Sequence, residues 1–208
     1  MLLLLADSLL LIFLTLSLGI LTLNILDRLF RVTIQSDLLG TFLAGLIPST
    51  IYFNIISFWL PVNYLSLIPL ALISLLVFRQ HKERFRQEAL SIREQLNRIL
   101  QPSNWVFTGG LLVLLLYFSI LPGINADSKG YHYLSILWYE KYKVIPGLAN
   151  VHGRYAFNPA AFIIQSAYSF TGLTGQSIYP LNTVLIGLFL FWLLVRMLRQ
   201  KDSLAGLV

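Results

Sequence analysis

The sequence predicts an all-α integral membrane protein, with about five transmembrane helices, a cytoplasmic amphipathic helix and an outer loop carrying two short surface helices. Three observations predict it. Of 208 residues, 57% are apolar and only 12% are charged, about half the charge of a soluble domain. The mean hydropathy is +0.74. The apolar residues also fall into blocks near the ~20 residues that a helix needs to cross hydrocarbon, separated by segments that differ sharply in basic content.

The blocks are residues 2–26, 38–60, 61–78, 105–121 and 178–195. The first lacks both a basic start and a small-residue cleavage site, so it reads as a retained helix rather than a leader. Asp7, near its tip, is expected at interface depth. Pro48 in the second block and Pro69 in the third are expected to kink their helices, because proline removes a donor and clashes one turn back. The third and last blocks have 18 residues each and are the shortest spans but one, the fourth having 17.

Residues 79–104 form the cytoplasmic connector. Phe85, Ala89, Ile92, Leu96 and Ile99 recur at helical spacing, giving one narrow apolar stripe on a charged helix. Arg84–Glu88 and Glu94–Arg98 are i,i+4 pairs. Such a helix suits an interfacial connector on anionic lipid, or a partner helix. Gln101 to Asn104 break it, and Trp105 anchors the next span.

Alternate segments between spans carry eleven and four Lys or Arg residues, from Arg28 to Lys201 on one side and Lys129, Lys141, Lys143 and Arg154 on the other. Positive residues stay inside. The N-terminus and the 122–177 loop therefore face outward, and the tail of 178–208 faces the cytoplasm. The net charge of +6 belongs to this asymmetry and does not point to nucleic acid. With no cysteine, a disulfide framework, a zinc–thiolate site and a thiol nucleophile are excluded. Neither a GxSxG elbow, a phosphate loop nor a dinucleotide fingerprint occurs.

The 122–177 loop is where chemistry is expected. It holds Asp127, Glu140 and Arg154, two of the three histidines and many aromatic residues, and long loops of this kind carry sites more often than they merely connect. Asp127 or Ser128 is expected to cap a helix from about Lys129 to Tyr142, whose Tyr131, Leu134, Leu137 and Trp138 form a face for the membrane. Pro146-Gly147 signals a turn. Asn158 and Pro159 are expected to open a second surface helix reaching about Phe170.

Asp127 is the leading acid. It is a helix cap by residue type, and equally a general base if aromatic surroundings desolvate it. His132 and His152 lack HxH or HxxxH spacing, so they read as hydrogen-bonding groups. No cofactor is expected, and a divalent metal is the minor alternative. Arg154, between a glycine and aromatics, suits a phosphate through its planar fork, or a lipid headgroup. Lys129 lies close to Asp127 in sequence.

The stretch DSKGYHYLSILWYEKYKVIPGLANVHGRYAFNPAAF resembles the signature loop of a bacterial family of uncharacterised multi-spanning membrane proteins. The matching residues are Asp127, Tyr131, His132, Trp138, Pro146, Gly147, Leu148, Asn150, His152, Gly153, Arg154, Phe157 and Asn158. That family is in turn similar to C-type membrane glycosyltransferases (GT-C), which use a sugar on a polyprenyl-phosphate carrier. The resemblance implies that Asp127 deprotonates an acceptor hydroxyl, with Lys129, Tyr131, His132, His152, Arg154 and Asn158 binding substrate. It implies membrane lipid, a polyprenyl-phosphate-linked sugar and a sugar or lipid acceptor as partners. In those enzymes the acidic loop follows the first span, whereas here it follows the fourth. They also have more spans, so a longer protein or a partner chain supplying further spans is expected. A non-catalytic component of surface polysaccharide assembly or lipid-linked sugar flipping is the alternative. A transporter subunit fits less well, because the spans hold few ionisable groups.

Overall fold

The structure, a computed structural model, describes residues 2–34, 36–106, 108–110, 113, 131–151, 153–156, 159–175 and 179–205. Among them there are helices and turns and no strand. Three helices are long and apolar enough to cross a bilayer: α1 (Leu2–Phe30), α2 (Leu38–Ser57) and the last helix, Pro180–Ala205, through its Pro180–Gln200 part. These match the first, second and fifth expected spans. Most of the fourth lies outside the described residues.

Small residues decide how α1 and α2 meet. Thr15 and Gly19 on α1 face Thr41, Gly45 and Ser49 on α2, all four residues apart along their helices. A Cβ added at Gly19 would overlap the Thr41 carbonyl oxygen, and one at Gly45 would overlap that of Thr15. The two antiparallel helices therefore touch backbone to backbone, as small-residue contacts allow where lipid supplies no hydrophobic drive. Above this contact sits the core, built on Leu11, Leu14, Phe42 and Phe53.

The third expected span is shorter in the structure. A single helical turn at Tyr64–Ser66 leads into α3 (Leu67–Gln80). Pro69 falls in the first turn of α3, where no backbone N–H is needed, so the expected kink there does not arise. Pro48 lies inside α2 as expected. At His81 the chain turns by 88° into α4 (Lys82–Ile99). Its apolar stripe is pinned at both ends: Phe85 packs on Phe78 and Phe13, and Ile99 packs on Leu194 and Leu198. Leu96, between them, is exposed. The Asn104 amide caps the helix end by donating to the Arg98 carbonyl at 2.8 Å.

Beyond residue 130 the chain forms α5 (Tyr133–Lys141), α6 (Leu148–Val151), α7 (Ala160–Ala167), α8 (Thr171–Thr174) and α9 (Pro180–Ala205). The Pro146-Gly147 turn forms, with Gly147 at φ 81°. The second expected surface helix is not on the surface. Ile163, Ala167 and Tyr168 of the α7 region are at most 2% exposed and belong to the same core as α1 and α2. Its sequence, AAFIIQSA, carries no charge, so nothing holds it out of the bundle. Two backbone bonds staple the α5 region to the α2–α3 turn: the Val62 amide donates to the Tyr139 carbonyl at 2.8 Å, and the Val144 amide to the Ser57 carbonyl at 2.7 Å.

Asp7 also departs from expectation. It is 3% exposed, and neither carboxylate oxygen has a hydrogen-bond partner among the described residues. The Tyr168 phenol, just beyond α7, lies within electrostatic reach of it.

Candidate functional site

The two polar ends of the bundle are separated by the length of α2, 20 residues or about 30 Å. The α5 end holds the residues singled out above. Tyr131 and His132 sit in the helical turn that enters α5, their rings 4.3 Å apart between centroids. His132 lies 4.8 Å from the Phe162 ring of α7. Arg154, in the helical turn Gly153–Ala156, places its guanidinium 5.1 Å from the centre of the Tyr131 ring. A cation over an aromatic face gains electrostatically. Three of the expected site residues, from segments more than twenty residues apart, thus converge. Asp127, Lys129, His152 and Asn158 lie outside the described residues, as do the expected caps at Asp127 and Ser128.

The face of α5 turned inward lies away from the one expected at the membrane. Ser135, Ile136 and Glu140 are buried, whereas Leu134, Leu137 and Trp138 are half-buried. Ser135, Trp138, Tyr139 and Tyr142, at i, i+3, i+4 and i+7, line a cavity of about 190 Å³ with Lys143 and Tyr155. Burial raises the Tyr139 phenol above its ordinary range, so it stays a hydrogen-bond donor at neutral pH.

At the opposite end, α4 crosses beneath the α1–α2 turn and encloses a larger polar cavity of about 640 Å³ between Asp27, Asp37, Arg84, Glu88 and Arg199. Its groups are matched to one another. Arg84 donates to the Asn24 side chain and lies 3.7 Å from Asp27. Asp27 also accepts the Ile34 amide at 2.7 Å. Asp37 caps α2 through the Gly40 amide at 2.8 Å and accepts the Trp192 indole N–H at 2.7 Å. Sequence reasoning put Arg84 in an i,i+4 pair with Glu88 and missed its tie to α1, because only the bend at His81 brings α4 back under that helix. Among the described residues no group of three His, Asp or Glu side chains is arranged to hold a metal.

Over residues 1–207 the chain matches the family described as "Domain of unknown function (DUF8201)", and it belongs to that family. No curated protein and no solved structure matches it.

Proposed function

We propose that this member of the family is a membrane glycosyltransferase, or the N-terminal part of one, that moves a sugar from a polyprenyl-phosphate donor to an acceptor hydroxyl on the outer face of a bacterial cytoplasmic membrane. One observation carries the reading: Arg154, Tyr131 and His132 meet at one end of a bundle whose long helices can cross a bilayer. A guanidinium beside neutral aromatic groups suits a phosphate that must stay at the lipid boundary, because its fork binds two oxygens at once.

In this reading the Asp127 carboxylate takes the proton of the acceptor hydroxyl. The acceptor oxygen bonds to the anomeric carbon as the bond from that carbon to the phosphate oxygen breaks. Polyprenyl phosphate leaves with the electron pair, its charge held by Arg154 and Lys129. His132, His152 and Asn158 supply hydrogen bonds to donor or acceptor. The orientation rests on charge: Arg28, Arg31, the α4 basic residues and Arg199 lie toward the opposite end, which the positive-inside rule assigns to the cytoplasm.

The test is transfer of labelled sugar from a polyprenyl-phosphate donor in membranes holding the full-length protein. Asp127→Asn should lower the rate by roughly a hundredfold or more, as loss of a general base does. Transfer at the wild-type rate in that variant removes Asp127 from the mechanism. Donor binding that persists with no turnover in the wild type marks the protein as a non-catalytic component of polysaccharide assembly.

A further inference from the structure

A further cavity opens where the end of α5 meets the α2–α3 turn. Its volume is about 410 Å³, a size at which small ligands are held, and it is lined by Asn63, Tyr64, Glu140, Lys141, Thr171 and Gly172. No aliphatic side chain is among them. Three separate parts of the chain meet there. The Asn63 side-chain amide donates to the Glu140 carbonyl at 3.3 Å, which ties the turn to α5. The Tyr64 ring stacks on Phe170 at 6.1 Å between centroids, which ties the turn to the start of α8.

Glu140 sets the chemistry of this space. The residue is 8% exposed. Its carboxylate has neither an ion pair nor a hydrogen bond among the described residues. The carboxylate is not sealed in, either: the unpartnered side-chain atoms closed to solvent are those of Asp7, Ser74 and Ser135. A carboxylate so deep is costly unless a cation or donors answer it. Lys141, next in sequence, lines the same cavity without forming an ion pair with Glu140. The cavity therefore offers an anion and a cation that do not satisfy each other. A neutral sugar leaves the carboxylate's charge unanswered. A simple cation meets Lys141, and a simple anion meets Glu140. A zwitterion answers both.

The surroundings say what carries the zwitterion. Leu65 follows Tyr64, and Leu173 follows Gly172; they are 56% and 63% exposed. Trp59 and Leu60, just past the end of α2, are exposed as well. An exposed tryptophan at the end of a span marks the interface between lipid and water. A polar headgroup in the cavity can thus lay its acyl chains along an apolar rim.

We propose that this cavity binds the phosphoethanolamine headgroup of a phospholipid, with Glu140 receiving the ammonium and Lys141 the phosphate. A primary ammonium brings three N–H donors to the carboxylate, as a lysine does. The quaternary nitrogen of choline brings none, so the site prefers ethanolamine. It uses neither Asp127 nor Arg154 and stands apart from the transferase reading.

The experiment is native mass spectrometry of the full chain in detergent. The probes are phosphatidylethanolamine, phosphatidylcholine and phosphatidylglycerol with matched acyl chains, and soluble phosphoethanolamine. Phosphatidylethanolamine should bind roughly tenfold more tightly than phosphatidylcholine, the value of about one hydrogen bond to a charged group. Glu140→Gln, nearly the same shape, should erase that preference. Lys141→Gln should weaken both lipids and leave their ratio unchanged; this residue is exposed, so the variant decides the matter even if Glu140→Gln fails to fold. Four outcomes overturn the site: no preference for phosphatidylethanolamine in the wild type, a preference kept in Glu140→Gln, affinity unchanged in Lys141→Gln, or soluble phosphoethanolamine bound as tightly as the lipid. A preference that needs Glu140 upholds the site even if no sugar transfer is ever seen. Asp127-dependent transfer without that preference sinks the site and leaves the transferase reading standing.

Discussion

At the α4 end of the bundle, charged groups answer one another; toward the α5 end, the described residues include buried polar groups that nothing answers. Asp27, Arg84 and Asn24 form one connected set, and Asp37 is shared between a helix cap and Trp192. Toward the α5 end, Asp7 and Ser135 are buried without partners among the described residues, and Arg154 stands over the Tyr131 ring. The only other orphaned buried atom among the described residues is the Ser74 hydroxyl, midway along α3. Satisfied polar networks stiffen a structure. Unsatisfied groups cost stability and persist where they serve something else. The contrast assigns architecture to one end and chemistry to the other.

The largest expected effect strikes both ends. Gly45→Leu puts a side chain where the Thr15 carbonyl already lies, prying α1 from α2. The loss should be about 3 kcal/mol, the upper range for overpacking. It is read as a fall in melting temperature of the detergent-solubilised protein. A variant that melts like wild type refutes the backbone-to-backbone contact.

Arg84→Leu tests the architectural end alone. It leaves Asp27 without its cation and Asn24 without its donor, at a cost of about 2 kcal/mol for partly buried charged hydrogen bonds. Thermal stability should fall while the proposed sugar transfer is kept. Equal loss of ligand binding and stability merges the two ends into one unit and breaks the comparison.

Asp7→Leu should do the reverse. Replacing an unpartnered buried carboxylate by a side chain of similar size should raise stability by about 1 kcal/mol. Melting curves decide it, and a loss of stability means that a partner for Asp7 exists. A gain in stability accompanied by lost sugar transfer places Asp7 among the groups retained for function.

The legible part of this protein was what depends on composition over many residues. Three long spans, the break at Gln101 to Asn104, the Pro146-Gly147 turn and the α4 stripe all follow from periodicity and turn chemistry. What could not be read depends on which surface an apolar segment chooses. AAFIIQSA serves a membrane surface and a bundle core equally well by pattern, and only contact with Leu11, Leu14 and Phe53 makes it core. Asp7, whose place near the chain start suggested headgroup depth, is buried for the same kind of reason: packing decides it, not position. Tyr131, His132 and Arg154 were readable as a group because a loop motif held them together.

The smallest effect concerns Glu88, half-buried at the satisfied end. Burial raises its carboxyl above the ordinary 4.5, Arg84 draws it down and Asp37 raises it again, with a net upward shift. A raised folded-state value means that the native protein holds this proton more tightly than the unfolded chain. The stability from Glu88 is then complete below its ordinary range and is lost as pH climbs through the folded-state value. Glu88→Gln imitates the protonated form, so it should match wild type in acid and melt higher than wild type at neutral pH. The gain should stay under about 1 kcal/mol, because the group is only half-buried and solvent screens it. Adding Arg84→Leu removes the one downward influence, so the benefit of Glu88→Gln should grow in that background. If the gain instead shrinks there, Arg84 does not act on Glu88, and the charges at the α4 end are neighbours rather than a network.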